Sequence, residues 1–218
     1  MFGQKSAEKS ITEVRLVEAA AQLFARHGFK ATTTREIAQL ANLNEITLFR
    51  YFPRKPDLFL AAMESHLSRV KLGRDLQLSL ADGGDPQVVL PQVVMFVLNV
   101  LATQPELQHL LHVAGFEMPE SHKMIQDHLG PIFDLLVAYF KRSVEMQIIP
   151  NVDPTLAALG LVGIVIAHQT LREFFTGDRI SNFDPEQAIA AYVDFYLDGL
   201  RFDPDRRLKT HESCALNY

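Results

Sequence analysis

Apolar residues along this chain recur three and four positions apart, and no stretch alternates convincingly at period two, so the pattern predicts helices and no sheet. Val14, Val17, Ala21 and Phe24 form the first stripe. It opens behind Ser10 and Glu13, which have capping-box spacing, and closes at Gly28, a natural residue for the left-handed backbone at a helix end. Ile37, Leu40 and Ala41 form a shorter stripe behind Thr33 and Glu36, again at capping-box spacing. Asn42 tolerates the left-handed conformation of a tight turn. Asn44 is a strong N-cap for a third helix, about Glu45 to Phe52, that buries Leu48 and Phe52. Lys55-Pro56 opens a fourth, with proline where its missing N–H costs nothing, and Leu58, Phe59, Ala62, Met63, His66, Leu67 and Val70 carry it toward Leu80. A fifth follows the loop at 81–86 and runs to about Thr103, with Pro91 in its first turn. A sixth runs from Pro105 to about Glu117, and a seventh from Pro119 to Gln147, bent near Gly130-Pro131. An eighth runs from Asp153-Pro154 to about Phe175 and, after a loop over 177–183, a ninth from Asp184-Pro185 to near Phe202. The expected architecture is all-α, about nine helices, without an internal repeat.

The second and third helices carry the first chemical signal. Two short helices joined by a three- or four-residue turn, the second leaving Glu45, Thr47, Arg50 and Tyr51 available to a partner, read as a helix-turn-helix that lays a helix into a DNA major groove. The formal charge of −5 looks wrong for that task until it is divided: residues 1–56 hold nine Lys/Arg against five Asp/Glu, +4, and the remainder twelve against twenty-one, −9. Phosphate attraction is a local matter, screened over ~10 Å.

The run TTTREIAQLANLNEITLFRYFPRKPDLF, with the helix before it and the Gly28-Phe29 break, closely resembles the N-terminal signature of the TetR family of transcriptional regulators over roughly residues 10–63. The resemblance implies a helix-turn-helix domain over 1–54 and a larger helical domain for effector and dimer contacts over 55–203; the charged tail over 204–218 is expected to be flexible. The resemblance also implies a ligand-responsive repressor, although nothing in the residues themselves decides between a repressor and an activator. On the recognition helix, Glu45, Ile46 and Arg50 are base-edge candidates: arginine can chelate guanine, glutamate accept from cytosine, isoleucine touch a thymine methyl. Arg35, by the resemblance, reaches a base from the side. Thr33, Thr34, Thr47, Tyr51 and Lys55 are phosphate candidates, Asn44 caps the helix at the same surface, and Lys5 and Lys9 add an N-terminal arm. Glu45 stands where many relatives carry a basic or neutral residue, and Phe49 where tyrosine is usual; Phe49 packs on a sugar or joins the core. As a phosphate contact, Lys55 would on removal weaken binding to all sequences and flatten the salt slope.

One small domain grips only a half-site, so a homodimer on palindromic double-stranded DNA is expected. The eighth helix, LAALGLVGIVIA, is apolar nearly all round, and Gly160 and Gly163 allow close approach of a neighbour. Leu161 and Val165 with Ile189, Tyr192, Val193, Tyr196 and Leu200 of the ninth are the expected interface; a monomeric core would use the same residues. For a small apolar or aromatic effector the candidates are Phe96, Phe116 and Phe133, with His66, His112, His168, Gln169 and Arg172 as polar groups among apolar neighbours.

The single cysteine, Cys214, excludes an internal disulfide and a multi-cysteine zinc site and suits a reducing cytoplasm. The N-terminus MFGQKSAEKS lacks the apolar core of a signal peptide, and the longest strongly apolar run, Leu156 to Ala167, is short of the ~20 residues a bilayer needs, so no membrane is expected. Two rival readings stand beside the regulator. One is a helical protein-interaction module without DNA binding, to which Glu45 and Phe49 lend slight support. The other is a metal-dependent enzyme built on His109, His112, His122 and His128 with Glu117 or Asp127; that spacing matches no familiar metal motif. No catalytic order of residues or glycine-rich phosphate loop appears, so no enzyme, metal or cofactor is expected.

Overall fold

The structure, a computed structural model, describes residues 2–174 and 185–200, with side chains over 11–171 and 189–199. The side chains of Lys5, Lys9, Arg172 and Leu200, the expected loop over 177–183 and the tail bearing Cys214 lie outside the described residues. Among the described residues there are ten α-helices and no strand: α1 Phe2–Ala31, α2 Thr34–Leu40, α3 Glu45–Tyr51, α4 Lys55–Leu67, α5 Arg74–Asp82, α6 Pro86–Thr103, α7 Pro105–Glu117, α8 His122–Glu145, α9 Pro154–Phe174 and α10 Pro185–Leu200. A 3-10 turn, Pro119–Ser121, precedes α8.

The all-α expectation holds, with one helix more than the nine expected. The fourth helix does not continue to Leu80; it stops at Leu67, and α5 starts anew at Arg74 behind an extended Gly73. The apolar positions give the reason. Leu67 and Leu76 are nine residues apart, about half a turn around a straight helix at ~100° per residue, so the apolar stripe does not continue along one face from the first to the second. Both are buried. Pro91 is not in a first turn either: α6 begins at Pro86, which makes Pro91 its sixth residue and an interior proline. α8 continues through Gly130-Pro131 as one helix. The expected limit at Gly28 reappears as a non-helical residue (φ 79°, ψ 170°) inside the span of α1.

The chain divides into two compact units, Met1–Lys71 with Val100–Ile132, and Leu72–Asn99 with Phe133–Tyr218. The division falls inside α6 and α8. In the first unit, Leu16, Ala20 and Phe24 of α1, Ile37 of α2, Leu48 of α3, Leu58, Phe59, Met63 and Leu67 of α4, and Leu107 and Leu110 of α7 form one buried cluster. Three rings knit it: Phe24 meets Phe59 edge-on at 5.2 Å and Phe29 stacked at 5.6 Å. The three N-terminal helices are therefore built into the same core as α4 and α7.

His66 of α4 lies in this unit with Nδ1 3.2 Å from Gln104 Oε1, and burial first, then the charge of Arg69, pushes its imidazole below the usual value. A lowered folded value adds nothing above the unfolded pKa of about 6.5. Below it the unfolded chain takes up the proton first, and stability falls. His66→Gln is expected to flatten the drop in melting temperature between about pH 6.5 and 5, read by circular dichroism.

The second unit closes around Tyr139 and Phe140 of α8, whose rings meet edge-on at 5.7 Å, with Tyr196 of α10 6.1 Å beyond Phe140. Tyr139 donates to Gly84 O at 2.8 Å, and burial pushes its phenol up to about 12. α6 and α9 are long and apolar enough to cross a membrane by length and composition, which the short run Leu156–Ala167 did not suggest. Each nonetheless turns a face inward within the unit: Val89, Leu90 and Val93 of α6, and Ala157, Ala158, Leu161 and Val165 of α9, are buried.

Candidate nucleic-acid interface

The turn between α2 and α3 is built from local rules. Thr33 Oγ1 accepts from the Glu36 amide at 3.2 Å while the Glu36 carboxylate accepts from the Thr33 amide at 2.9 Å, a completed capping box. The Thr33 amide and then its hydroxyl hold the Glu36 carboxyl below the usual range. At the other end Asn42 takes a left-handed φ of 53°; Leu43 N–H donates to Ala38 O at 2.8 Å and Asn42 N–H to Gln39 O at 2.9 Å, which is a Schellman motif with asparagine in the glycine position. Asn44 then caps α3, its Oδ1 accepting from Thr47 N–H at 2.7 Å. From α1, the Arg15 guanidinium donates to Ala41 O and, at 3.4 Å, to Asn42 O, fastening the turn to the first helix.

α3 buries Leu48 completely and turns Ile46, Phe49 and Arg50 outward. Ile46 is 83 % exposed on this seven-residue helix. Phe49 is on the surface, not in the core. Tyr51 packs half-buried against the cluster, with the Arg50 guanidinium 5.6 Å from its ring centre. Arg35, in the first turn of α2, is exposed.

Other charged residues of this region, expected contacts among them, have internal partners. Arg54 pairs with Asp57 at 2.6 Å. Lys55 Nζ donates to Phe29 O at 2.7 Å and Thr32 O at 2.9 Å and sits 4.3 Å from the Phe29 ring centre, so its charge closes the chain leaving α1. Desolvation lowers its pKa, opposed by Glu117. Glu117, at the end of α7, accepts from Lys30 N–H at 2.9 Å in the same connection. Lys55→Ala is now expected to cost about 1.5–3 kcal/mol of stability, the worth of hydrogen bonds to a charged group, and to leave the salt slope of DNA binding nearly unchanged. Thermal melts and a salt titration read the two effects separately. Thr34 and Glu45, expected on phosphate and base, meet each other at 2.5 Å.

The remaining candidate residues fall in both units. His66, His112 and Phe116 belong to the first, where His112 and Phe116 are exposed; Phe96, Phe133, His168 and Gln169 belong to the second, all half-buried. His168 Nδ1 faces the Tyr192 hydroxyl at 2.5 Å. Leu161, Val165, Ile189, Val193 and Tyr196 are buried within one chain, and Tyr192 is half-buried. Tyr196 donates to Ala157 O, and its ring lies where a Cβ on Gly160 would come within 3.3 Å. These residues fasten α10 to α9. Among the described residues, the large apolar side chains that the same helices turn outward are Leu156, Leu159, Ile166, Leu171 and Phe195. Of the histidines weighed for a metal, His122 faces Ala114 O and His128 lies between Met124 O and Glu64. Among the described residues no three His, Cys, Asp or Glu side chains are grouped as metal ligands are.

A capped, fastened turn behind a short helix that presents Ile46, Phe49 and Arg50 defines a helix-turn-helix DNA-binding regulator. Residues 16–62 match the model of the bacterial regulatory proteins of the tetR family. The HTH-type transcriptional regulator YvkB of Bacillus subtilis is 26% identical over 196 residues, 88% of this chain and 98% of YvkB. The tetR-family match gives residues 16–62 the character of a TetR-family N-terminal region. Two solved structures share its fold at low identity. FadR of Bacillus subtilis, in complex with stearoyl-CoA, has a TM-score of 0.64 and 15% identity over 85% of this chain and 98% of its own. AibR, in complex with isovaleryl coenzyme A and operator DNA, has a TM-score of 0.63 and 19% identity over the same shares.

Proposed function

We propose that this chain is a transcriptional repressor that holds a palindromic double-stranded operator as a homodimer and releases it when a small apolar molecule binds the helical part beyond residue 54. It acts by binding and not by catalysis, in the cytoplasm. The observation that carries the reading is α3, where an aliphatic, an aromatic and a cationic side chain point outward together from a helix whose turn is fixed at both ends. Arg50 and Arg35 are the base-reading cations; Ile46 and Phe49 supply contact with thymine methyls and sugars.

α9 supports the homodimer. Its most apolar 18 residues have a mean hydropathy of 1.5 yet only 22% of them are buried inside the chain. Leu156, Leu159, Gly163 and Ile166 follow one another at spacings of three and four, an outward stripe that a second copy covers. For the effector our candidates are Phe96, Phe133, His168 and Gln169, which share the second unit. Acyl thioesters are the first class to try, because two proteins of the same fold hold them. Such a ligand must favour the state that does not fit the operator, or it shifts nothing. Fluorescence anisotropy with an operator obtained by selection, titrated with acyl-coenzyme A of graded chain length and with simple aromatics, tests this. At least one class should weaken binding about tenfold or more. Affinity unmoved across the whole panel would remove the effector from the account and leave the DNA reading standing.

A further inference from the structure

Glu45 opens the recognition helix, where a carboxylate has two possible uses. It can accept from a cytosine amine in the groove, or it can hold the helix in place. The structure turns it inward: Glu45 Oε1 lies 2.5 Å from the Thr34 hydroxyl, which donates to it, and the pair is partly buried. Thr34 and Glu45 are the first residues of α2 and α3 respectively. The bond therefore ties the starts of the two helices together, while Arg15 separately fastens the turn between them. α3 has only seven residues and a single fully buried anchor, Leu48. Tyr51 and the buried Phe52 seat its far end in the core; the polar fastenings and the cap at Asn44 hold the end at which it starts. We infer that Glu45 and Thr34 are a positioning pair: they set the angle at which α3 presents Ile46, Phe49 and Arg50, and neither of them reads a base or holds a phosphate. The pair also draws the one carboxylate of the recognition helix toward α2, where its repulsion of phosphate is answered by a hydrogen bond.

This rests on the DNA-binding reading, and the experiment separates the two. Duplexes selected by the wild-type protein from a random pool are measured first; a wild-type protein without any preferred sequence defeats the DNA reading itself. With a preferred duplex in hand, every single-base variant of one half-site is titrated against the wild-type protein, Thr34→Val, Glu45→Ala, the double variant and Thr34→Ser, all at a temperature where circular dichroism shows each variant folded. A loosened recognition helix blurs discrimination at several adjacent positions at once. Thr34→Val and Glu45→Ala are each expected to lower it about tenfold, the size set by one hydrogen bond to a charged group. The double variant should lose no more than either single one, and Thr34→Ser, which keeps the hydroxyl, should behave as wild type. A loss confined to one base position in Glu45→Ala and absent from Thr34→Val would make Glu45 a base reader and overturn the inference. So would unchanged discrimination in both, with only the melting temperature lowered.

Discussion

Phe195→Asp combined with Leu159→Asp is expected to turn the protein into a folded monomer that has lost its operator. Both side chains are exposed in a single chain, 73 % and 53 %, on neighbouring helices of the second unit. Substitutions at such positions change the stability of the chain itself by only about half a kcal/mol, so helical content should survive. In a two-fold interface each carboxylate would be buried close to its symmetry mate and unpaired, which costs several kcal/mol per ion. Each half-site would then be held by one small domain alone, and affinity for the full operator should fall on the order of a thousandfold, toward the non-specific level. Sedimentation velocity reads the first effect and a gel shift the second. A double variant that sediments as wild type would remove α9 and α10 from the interface.

Phe24→Ala should have the largest effect on stability. Phe24 is fully buried, and its ring touches those of Phe29 and Phe59, so the two sides of the Gly28 break in α1 and the helix α4 meet on this one side chain. Truncation removes the transfer free energy of the ring and leaves a cavity in a core that relaxes only partly, together about 3–5 kcal/mol. That is a large share of the 5–15 kcal/mol by which a domain is ordinarily stable. Because Ile37 and Leu48 pack in the same cluster, the loss falls on the helices that present α3. DNA binding should disappear at a temperature well below that at which wild type melts. A chemical-denaturation midpoint that moves by less than the equivalent of about 1 kcal/mol would contradict this packing.

What could be read from the sequence was what local chemistry decides. Thr33 with Glu36, Asn42 with its positive φ and Asn44 with its bond to Thr47 act within a few residues of themselves, and all three stand in the structure as the spacing predicts. The residues whose partners lie far along the chain behave differently. Lys55 reaches Phe29 O, 26 residues back, and Glu45 reaches Thr34 across the turn. A charged side chain near a DNA-binding motif carries no mark in the sequence of whether its charge is free, so both read as contacts. The same holds for α9, where an apolar run has no single preferred face. Periodicity alone does not separate Leu161 and Val165, which are buried within the chain, from Leu159 and Ile166, which face outward. The break between α4 and α5 was legible in principle, since the stripes through Leu67 and Leu76 are half a turn out of phase.

Selection of double-stranded DNA from a random pool by the purified protein at low ionic strength tests the central claim most directly. The account predicts enrichment of a single inverted repeat, its two half-sites on one side of the duplex, bound by two copies of the chain. A pool that emerges with no enriched sequence would contradict it.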